Sequence, residues 1–95
     1  MVVAEFSVTP VIGENLRPYI DAAIDEVKKS GLKYEVDAMS TTIEGELDEV
    51  LDVVKKAHCA VKDVGAGRVL TELKIDDRST GVTIGEELEG YRASA

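Results

Sequence analysis

The segment Tyr34-Glu35-Val36-Asp37-Ala38-Met39-Ser40-Thr41-Thr42-Ile43-Glu44-Gly45-Glu46 decides the fold. It begins within an alternation of apolar and polar residues. Leu32, Tyr34, Val36 and Ala38 point one way, and Lys33, Glu35 and Asp37 the other, the period of a strand. The alternation breaks near Met39-Ser40 and resumes at Thr41, so Thr41 to Gly45 is read as a second short strand pairing back on the first. The hairpin also gathers short hydroxyls and a carboxylate, Ser40, Thr41, Thr42 and Glu44. Held on strands, such groups can hydrogen-bond a small polar ligand with little loss of entropy. They equally suit a polar edge hairpin with no ligand, because threonine is a good strand former.

Moving outward, the pattern on each side switches to period 3.6. Leu16, Tyr19, Ile20, Ala23, Ile24 and Val27 recur at helical spacing before the hairpin. Asn15 is a candidate N-cap, Pro18 is tolerated in the first turn, and Gly31 suits a left-handed C-terminal cap, which predicts a helix over Leu16–Ser30. After the hairpin, Leu47, Val50, Leu51, Val54, Ala57 and Val61 form a second apolar stripe, ended by Gly65-Ala66-Gly67. Strands flank both helices. Val2 to Thr9 alternates and stops at Pro10, which has no N–H for a ladder. Arg68 to Asp76 alternates with Val69, Thr71, Leu73 and Ile75 on one side.

The order β-α-β-β-α-β is that of the ferredoxin-like split βαβ unit, an α+β fold. Right-handed crossovers place both helices on one face of a four-stranded antiparallel sheet of strand order 4-1-3-2. Residues 1–95 are read as one domain, with 81–95 as a C-terminal appendage. Thr83 and Glu86 suggest a capping box and a short helix over about Ile84–Arg92. The sheet face away from the helices should carry Glu5, Ser7, Asp37, Thr42, Glu44, Glu72 and Lys74. Such a face can meet water, another subunit or a polar ligand, with Lys74 ion-paired across strands to nearby acids.

Composition narrows the partners. Over 95 residues the net charge is −8, which argues against nucleic acid and against anionic membrane surfaces. No apolar run reaches the roughly 18 residues needed to span a bilayer, and no signal peptide is evident. The single cysteine, Cys59, excludes an internal disulfide and fits a reducing cytosol, so a cytoplasmic location is expected. So short a chain buries a modest core, and self-association to a homodimer or homotetramer would add to it.

Residues with possible chemistry are few. His58, the only histidine, falls near the middle of the second apolar stripe and reads as a buried or interface residue with one hydrogen bond. Cys59 diverges from it on the helix, so the two do not chelate a metal. Cys59 reads as a filler at the edge of the stripe, since no second histidine is present to activate it. Asp76-Asp77-Arg78 is either a charged strand end with its arginine paired to an acid, or a carboxylate pair that binds a cation together with substrate phosphates. Gly65-Ala66-Gly67 lacks the remainder of any phosphate-binding loop. No nucleophile-base-orienter set is visible, so no catalytic or metal-binding residues are assigned.

Several segments carry a resemblance to a known family. They are Ala4-Glu5-Phe6-Ser7-Val8-Thr9-Pro10, Pro18-Tyr19-Ile20, Gly31-Leu32-Lys33-Tyr34-Glu35, Met39 to Glu46, Ala57-His58 and Leu73-Lys74-Ile75-Asp76-Asp77-Arg78. From Val2 to about Tyr91 the chain resembles the small ferredoxin-like thiamine-binding proteins, long catalogued as conserved proteins of unknown function. Ser40 stands where that family usually has glycine. The resemblance implies non-catalytic binding of thiamine or its hydroxymethylpyrimidine part, assembly into oligomers, and no cofactor. Hydroxyls and a carboxylate match the ring nitrogens and amino group of an aminopyrimidine. Combined with the inferred open face, the resemblance points to Ser7, Thr41, Thr42 and Glu44 as polar contacts, with Lys74 orienting Glu44 or Ser7. Two alternatives are a structural or regulatory oligomer with no small ligand, and a metal-dependent phosphate-ester enzyme using Asp76, Asp77 and Arg78.

Overall fold

The computed structural model describes residues 1–13 and 15–91. The elements run β1 (Val2–Pro10), α1 (Arg17–Ser30), β2 (Lys33–Val36), β3 (Thr41–Gly45), α2 (Leu47–Val64), β4 (Val69–Asp76) and α3 (Ile84–Glu87). The sheet is antiparallel with order β2-β3-β1-β4, the ferredoxin-like arrangement expected from the pattern.

Alternation along β1 divides the molecule. Val2, Ala4 and Phe6 join Ile43 of β3, Ala23 and Val27 of α1, and Val50, Val53, Val54, Ala57 and Val61 of α2 in the main core. Val3, on the opposite face, packs instead with Val82 and Ile84 in a second, smaller buried cluster. The C-terminal segment is therefore more than an appendage. It folds back over the sheet face that the helices leave uncovered.

Local chemistry explains the element ends. Gly31 adopts φ 74° and donates its N–H to the Lys28 carbonyl, closing α1 where a side chain would be strained. At the start of α1 the cap position is Leu16, one residue later than expected. Asn15 still contributes, its Oδ1 accepting the Arg17 N–H at 3.3 Å. The N–H of Glu46 donates to Glu49 Oε1 at 3.1 Å, which fixes the entry into α2. Gly45 has a packing reason, because a Cβ there would meet the Leu32 side chain at 3.1 Å. Thr83 caps α3, its hydroxyl accepting the Glu86 N–H at 3.2 Å. That helix ends at Glu87, short of the expected span, and Arg92 lies outside the described residues.

The second stripe differs from the sequence reading in one respect. Leu47 and Leu51 are 40% and 42% exposed, while Val53 is buried. The core-facing arc of α2 is rotated toward Val50, Val53, Val54, Ala57 and Val61, because the α1 interface claims Val53. Cys59 is exposed rather than filling the stripe's edge. His58 is half-buried, its Nδ1 2.6 Å from Thr71 Oγ1 of β4, the single hydrogen bond anticipated.

The register yields a sharp contrast between neighbouring residues. Ile43 is fully buried among the helices, whereas Thr42 faces the other way and is half-buried. Ile43→Ala should destabilise by about 2–5 kcal/mol through lost contacts and a cavity. Thr42→Ala should stay within roughly 0.5 kcal/mol. Urea denaturation of the two variants measures both.

Candidate binding site on the uncovered sheet face

The ladder places Glu5 of β1 between Thr42 of β3 and Lys74 of β4, with Glu35 of β2 beyond Thr42. Directly paired residues in an antiparallel sheet share a face, so these four side chains form a row across the uncovered side. One step along, Lys33, Glu44, Val3 and Asp76 form a parallel row. The C-terminal segment lies over one end. Between it and the sheet is a cavity of about 530 Å³ whose walls are Val3, Glu5, Glu35, Val36, Asp37, Thr42, Lys74, Ile75, Asp76, Ile84, Glu87 and Leu88.

The expected site residues do not all meet there. Thr42 and Lys74 line this cavity. Glu44 shares the face, but its Oε1 accepts the Ile84 N–H at 2.7 Å, so it fastens the first turn of α3 to the sheet. Lys74 lies opposite Glu5, not Glu44 or Ser7, and makes no ion pair among the described residues. The cross-strand pairing expected of it is not formed, nor is an orienting bond to Glu44 or Ser7. Ser7 sits opposite Glu72 on β4. Thr41 is buried and turned to the helix side, because its neighbour Thr42 takes the open face. Ser7 and Thr41 instead border a second cavity of about 350 Å³ against α1, whose wall includes Phe6, Leu16, Ile20, Ile24 and Met39. Val36 and Asp37 belong to both walls. The Asp37 N–H donates to the Ser40 carbonyl at 2.9 Å, and the Ser40 hydroxyl donates to Glu5 Oε2 at 3.1 Å. No non-glycine residue has positive φ among those described, so Ser40 fits the turn without strain.

Sequence reading put Glu5 and Asp37 on this face without assigning them to the ligand, and among the other wall residues it missed Glu35, Ile84 and Glu87. Glu35 and Asp37 were legible as the polar side of β2 and its continuation. Ile84 and Glu87 were not, since nothing in the local pattern says that the C-terminal segment folds over β1.

At the rim, Arg78 Nη2 contacts Asp76 Oδ2 at 3.0 Å and Glu87 Oε1 at 2.8 Å. This realises the charged strand end with its arginine paired to an acid. Asp76 is held below the usual carboxylate range, first by its hydrogen bond with Glu87 and then by Arg78. Glu87 is pushed above that range, chiefly by the same hydrogen bond with Asp76, then by desolvation. Among the described residues no group of three or more His, Cys, Asp or Glu is placed to hold a metal ion.

Residues 4–92 match the family described as thiamine-binding protein. The chain belongs to that family. Among its relatives, a UPF0045 protein of Methanothermobacter thermautotrophicus is 44% identical over 81 residues, covering 82% of each chain. A UPF0045 protein of Clostridium perfringens is 41% identical over 73 residues, covering 77% of each. A solved domain of unknown function from Bacillus cereus superposes with TM-score 0.90 at 50% identity, covering 96% of this chain and 89% of that one. A Thermotoga maritima structure, described as a candidate thiamine biosynthesis/salvage protein, gives TM-score 0.88 at 35% identity over 96% and 98% of the two chains. This member of the thiamine-binding family is thus a thiamine-related small protein with the ferredoxin-like fold. No helix among its described residues is long and apolar enough to cross a membrane.

Two outcomes test the attachment of the C-terminal segment. Glu44→Ala removes the acceptor for the Ile84 N–H and should cost that segment about 1.5–3 kcal/mol, the range for a hydrogen bond to a charged group. Faster amide exchange at Ile84, with exchange at Ile43 unchanged, is the expected signature. The second outcome depends on pH. The depressed Asp76 contributes stability above its unfolded value and loses it as pH falls through its folded value. The raised Glu87 contributes stability below its ordinary value of 4.5 and loses it as pH rises through its folded value. Glu87→Gln removes the second dependence and alters the first, because Glu87 is the main cause of the Asp76 depression, so its stability should gain on the wild type as pH rises from 4.5 through the folded value of Glu87. Urea midpoints at the two ends of that window measure the difference.

Proposed function

We propose that the protein binds thiamine, or its hydroxymethylpyrimidine part, in the cavity between the sheet and the C-terminal segment, and turns nothing over. The carrying observation is the row Glu35, Thr42, Glu5 and Lys74 beneath that cavity, in a chain whose family is described as thiamine-binding. The wall is of mixed character, as small-molecule sites usually are. Val3, Ile75, Ile84 and Leu88 offer apolar surface to a flat ring. Glu5 and Asp37 accept from an exocyclic amino group, and the Thr42 hydroxyl serves a ring nitrogen. Lys74 supplies the one ammonium donor among the described wall residues.

The absence of turnover is supported by chemistry. His58 is engaged with Thr71, and Asp76 and Arg78 hold each other and Glu87, so the groups most suited to catalysis serve structure. Self-association belongs to the same reading. Leu47 and Leu51 of α2 and Leu70 and Leu73 of the edge strand β4 are 36–49% exposed, and an open edge with apolar neighbours invites a second copy. A particle mass in solution well above 10.2 kDa is expected by light scattering.

Calorimetric titration with thiamine and hydroxymethylpyrimidine tests the assignment. Thr42→Val keeps the shape and removes the hydroxyl, and should weaken binding by about 0.5–1.5 kcal/mol. Glu5→Gln should cost more if its carboxylate meets the amino group, because the amide can present a donor where an acceptor is needed. Thr41→Val, on the other face, should leave affinity unchanged. Loss of binding in Thr41→Val with retention in Thr42→Val would move the ligand to the cavity against α1.

A further inference from the structure

The cavity against α1 opens where the two ladders of β1 end at different places. Pairing with β3 stops at Phe6↔Thr41, whereas pairing with β4 continues to Pro10↔Val69. Successive strand residues turn their N–H and carbonyl to alternate neighbours. Val11 donates to the Arg68 carbonyl on the β4 side at 2.8 Å, so odd-numbered residues of β1 face β4 and even-numbered ones face β3. Val8 is the even residue just past the last β3 pair, and no hydrogen bond among the described residues reaches its N–H or carbonyl. One main-chain donor and one acceptor are thus left side by side, a pairing that folded chains rarely leave unused.

Thr41 adds a third group. It is the one polar side chain buried among the described residues, at 9% exposure, and its hydroxyl has no hydrogen-bond partner among them. The oxygen is not sealed in the core, and the space it borders is the same cavity of about 350 Å³, at the low end for small-molecule sites. Phe6, Leu16 and Ile24 supply apolar wall. Ile20, Val36 and Met39, also in the wall, stay 40%, 50% and 88% exposed. Apolar exposure gathered at a cavity marks a contact surface, and methionine adapts to varied shapes. Asp37 is the only charged residue in the described wall, and its Oδ1 already accepts the Ala38 N–H at 2.7 Å.

We infer that this cavity is a second binding site, for a small uncharged molecule that carries an amide edge on an apolar ring. It shares only Val36 and Asp37 with the described wall of the cavity over the open face. The ring lies against the apolar wall. The amide carbonyl accepts from the Val8 N–H, and the amide N–H donates to the Val8 carbonyl or the Thr41 hydroxyl. An anion meets no cation in the described wall and one carboxylate. A purely apolar occupant leaves all three polar groups unmet.

Benzamide is the probe, with toluene and benzoate as comparisons, read by nitrogen–proton correlation spectra of the whole chain. Benzamide at millimolar concentration should shift the Val8, Thr41 and Ala23 amide signals saturably and leave those of Lys74 and Ile84 in place. Toluene and benzoate should each bind weaker by about threefold or more. Thr41→Val should weaken benzamide by about three- to tenfold, whereas Thr41→Ser, which keeps the hydroxyl, should bind it as the wild type does. Should Thr41→Val lose its folded spectrum, Thr41→Ser and the two comparison compounds decide. Absence of saturable shifts overturns the inference, the cavity then holding water alone. Toluene or benzoate matching benzamide overturns it as well, as do shifts centred on Lys74 and Ile84. Thiamine binding weakened by Thr41→Val would place the ligand of the proposed function in this cavity and also overturn it. Failure of thiamine to bind, with the benzamide shifts intact, overturns the proposed function and leaves this inference standing.

Discussion

The arrangement depends on the register of β1, which sets Glu5 between Thr42 and Lys74. Side chains alternate faces along a strand, so a slip of one residue would exchange Val2, Ala4 and Phe6 with Val3, Glu5 and Ser7. Carboxylate and hydroxyl would then enter the helix-side core, and the apolar row would face water. That penalty ties the acidic row beneath the cavity to the packing of the two long helices. The functional face is defined as the remainder of the core face, and Ile43 and Thr42 show the same logic on β3.

The C-terminal segment turns this open face into a cavity. Its attachment is small and specific. Val82 and Ile84 cover Val3, Glu44 receives the Ile84 N–H, and Arg78 joins Asp76 to Glu87. These contacts explain why a carboxylate on the uncovered face need not touch a ligand. Glu44 is expected as a ligand contact from its place on the open face and in the family segment, yet its Oε1 accepts the backbone N–H of Ile84. Arg78 holds Asp76 and Glu87 together, and the lowered Asp76 and raised Glu87 make that attachment responsive to acidity.

The acidic composition takes on a local meaning. A net charge of −8 spread over a surface says little beyond solubility and the exclusion of polyanions. Part of that charge lines the cavity, where Glu5 and Asp37 stand in one wall with Lys74. The same wall carries apolar surface from Val3, Ile84 and Leu88.

Periodicity determined the element order, the strand order and the side of each strand that packs the helices, because burial of apolar residues enforces period 2 and period 3.6 wherever a core exists. Gly31 and the Thr41–Gly45 strand were legible for the same local reason, as was the single hydrogen bond of His58. The rotation of α2 that exposes Leu47 and Leu51 and buries Val53 was not, since it depends on where α1 presses. Nor was the division of Thr41 and Ser7 from Thr42 and Lys74 into two cavities, which requires knowing which spaces the loops enclose. The return of residues 78–91 across Val3 lay beyond sequence altogether. Its contacts join positions some forty or more residues apart, as between Glu44 and Ile84, and local patterning carries no record of such pairings.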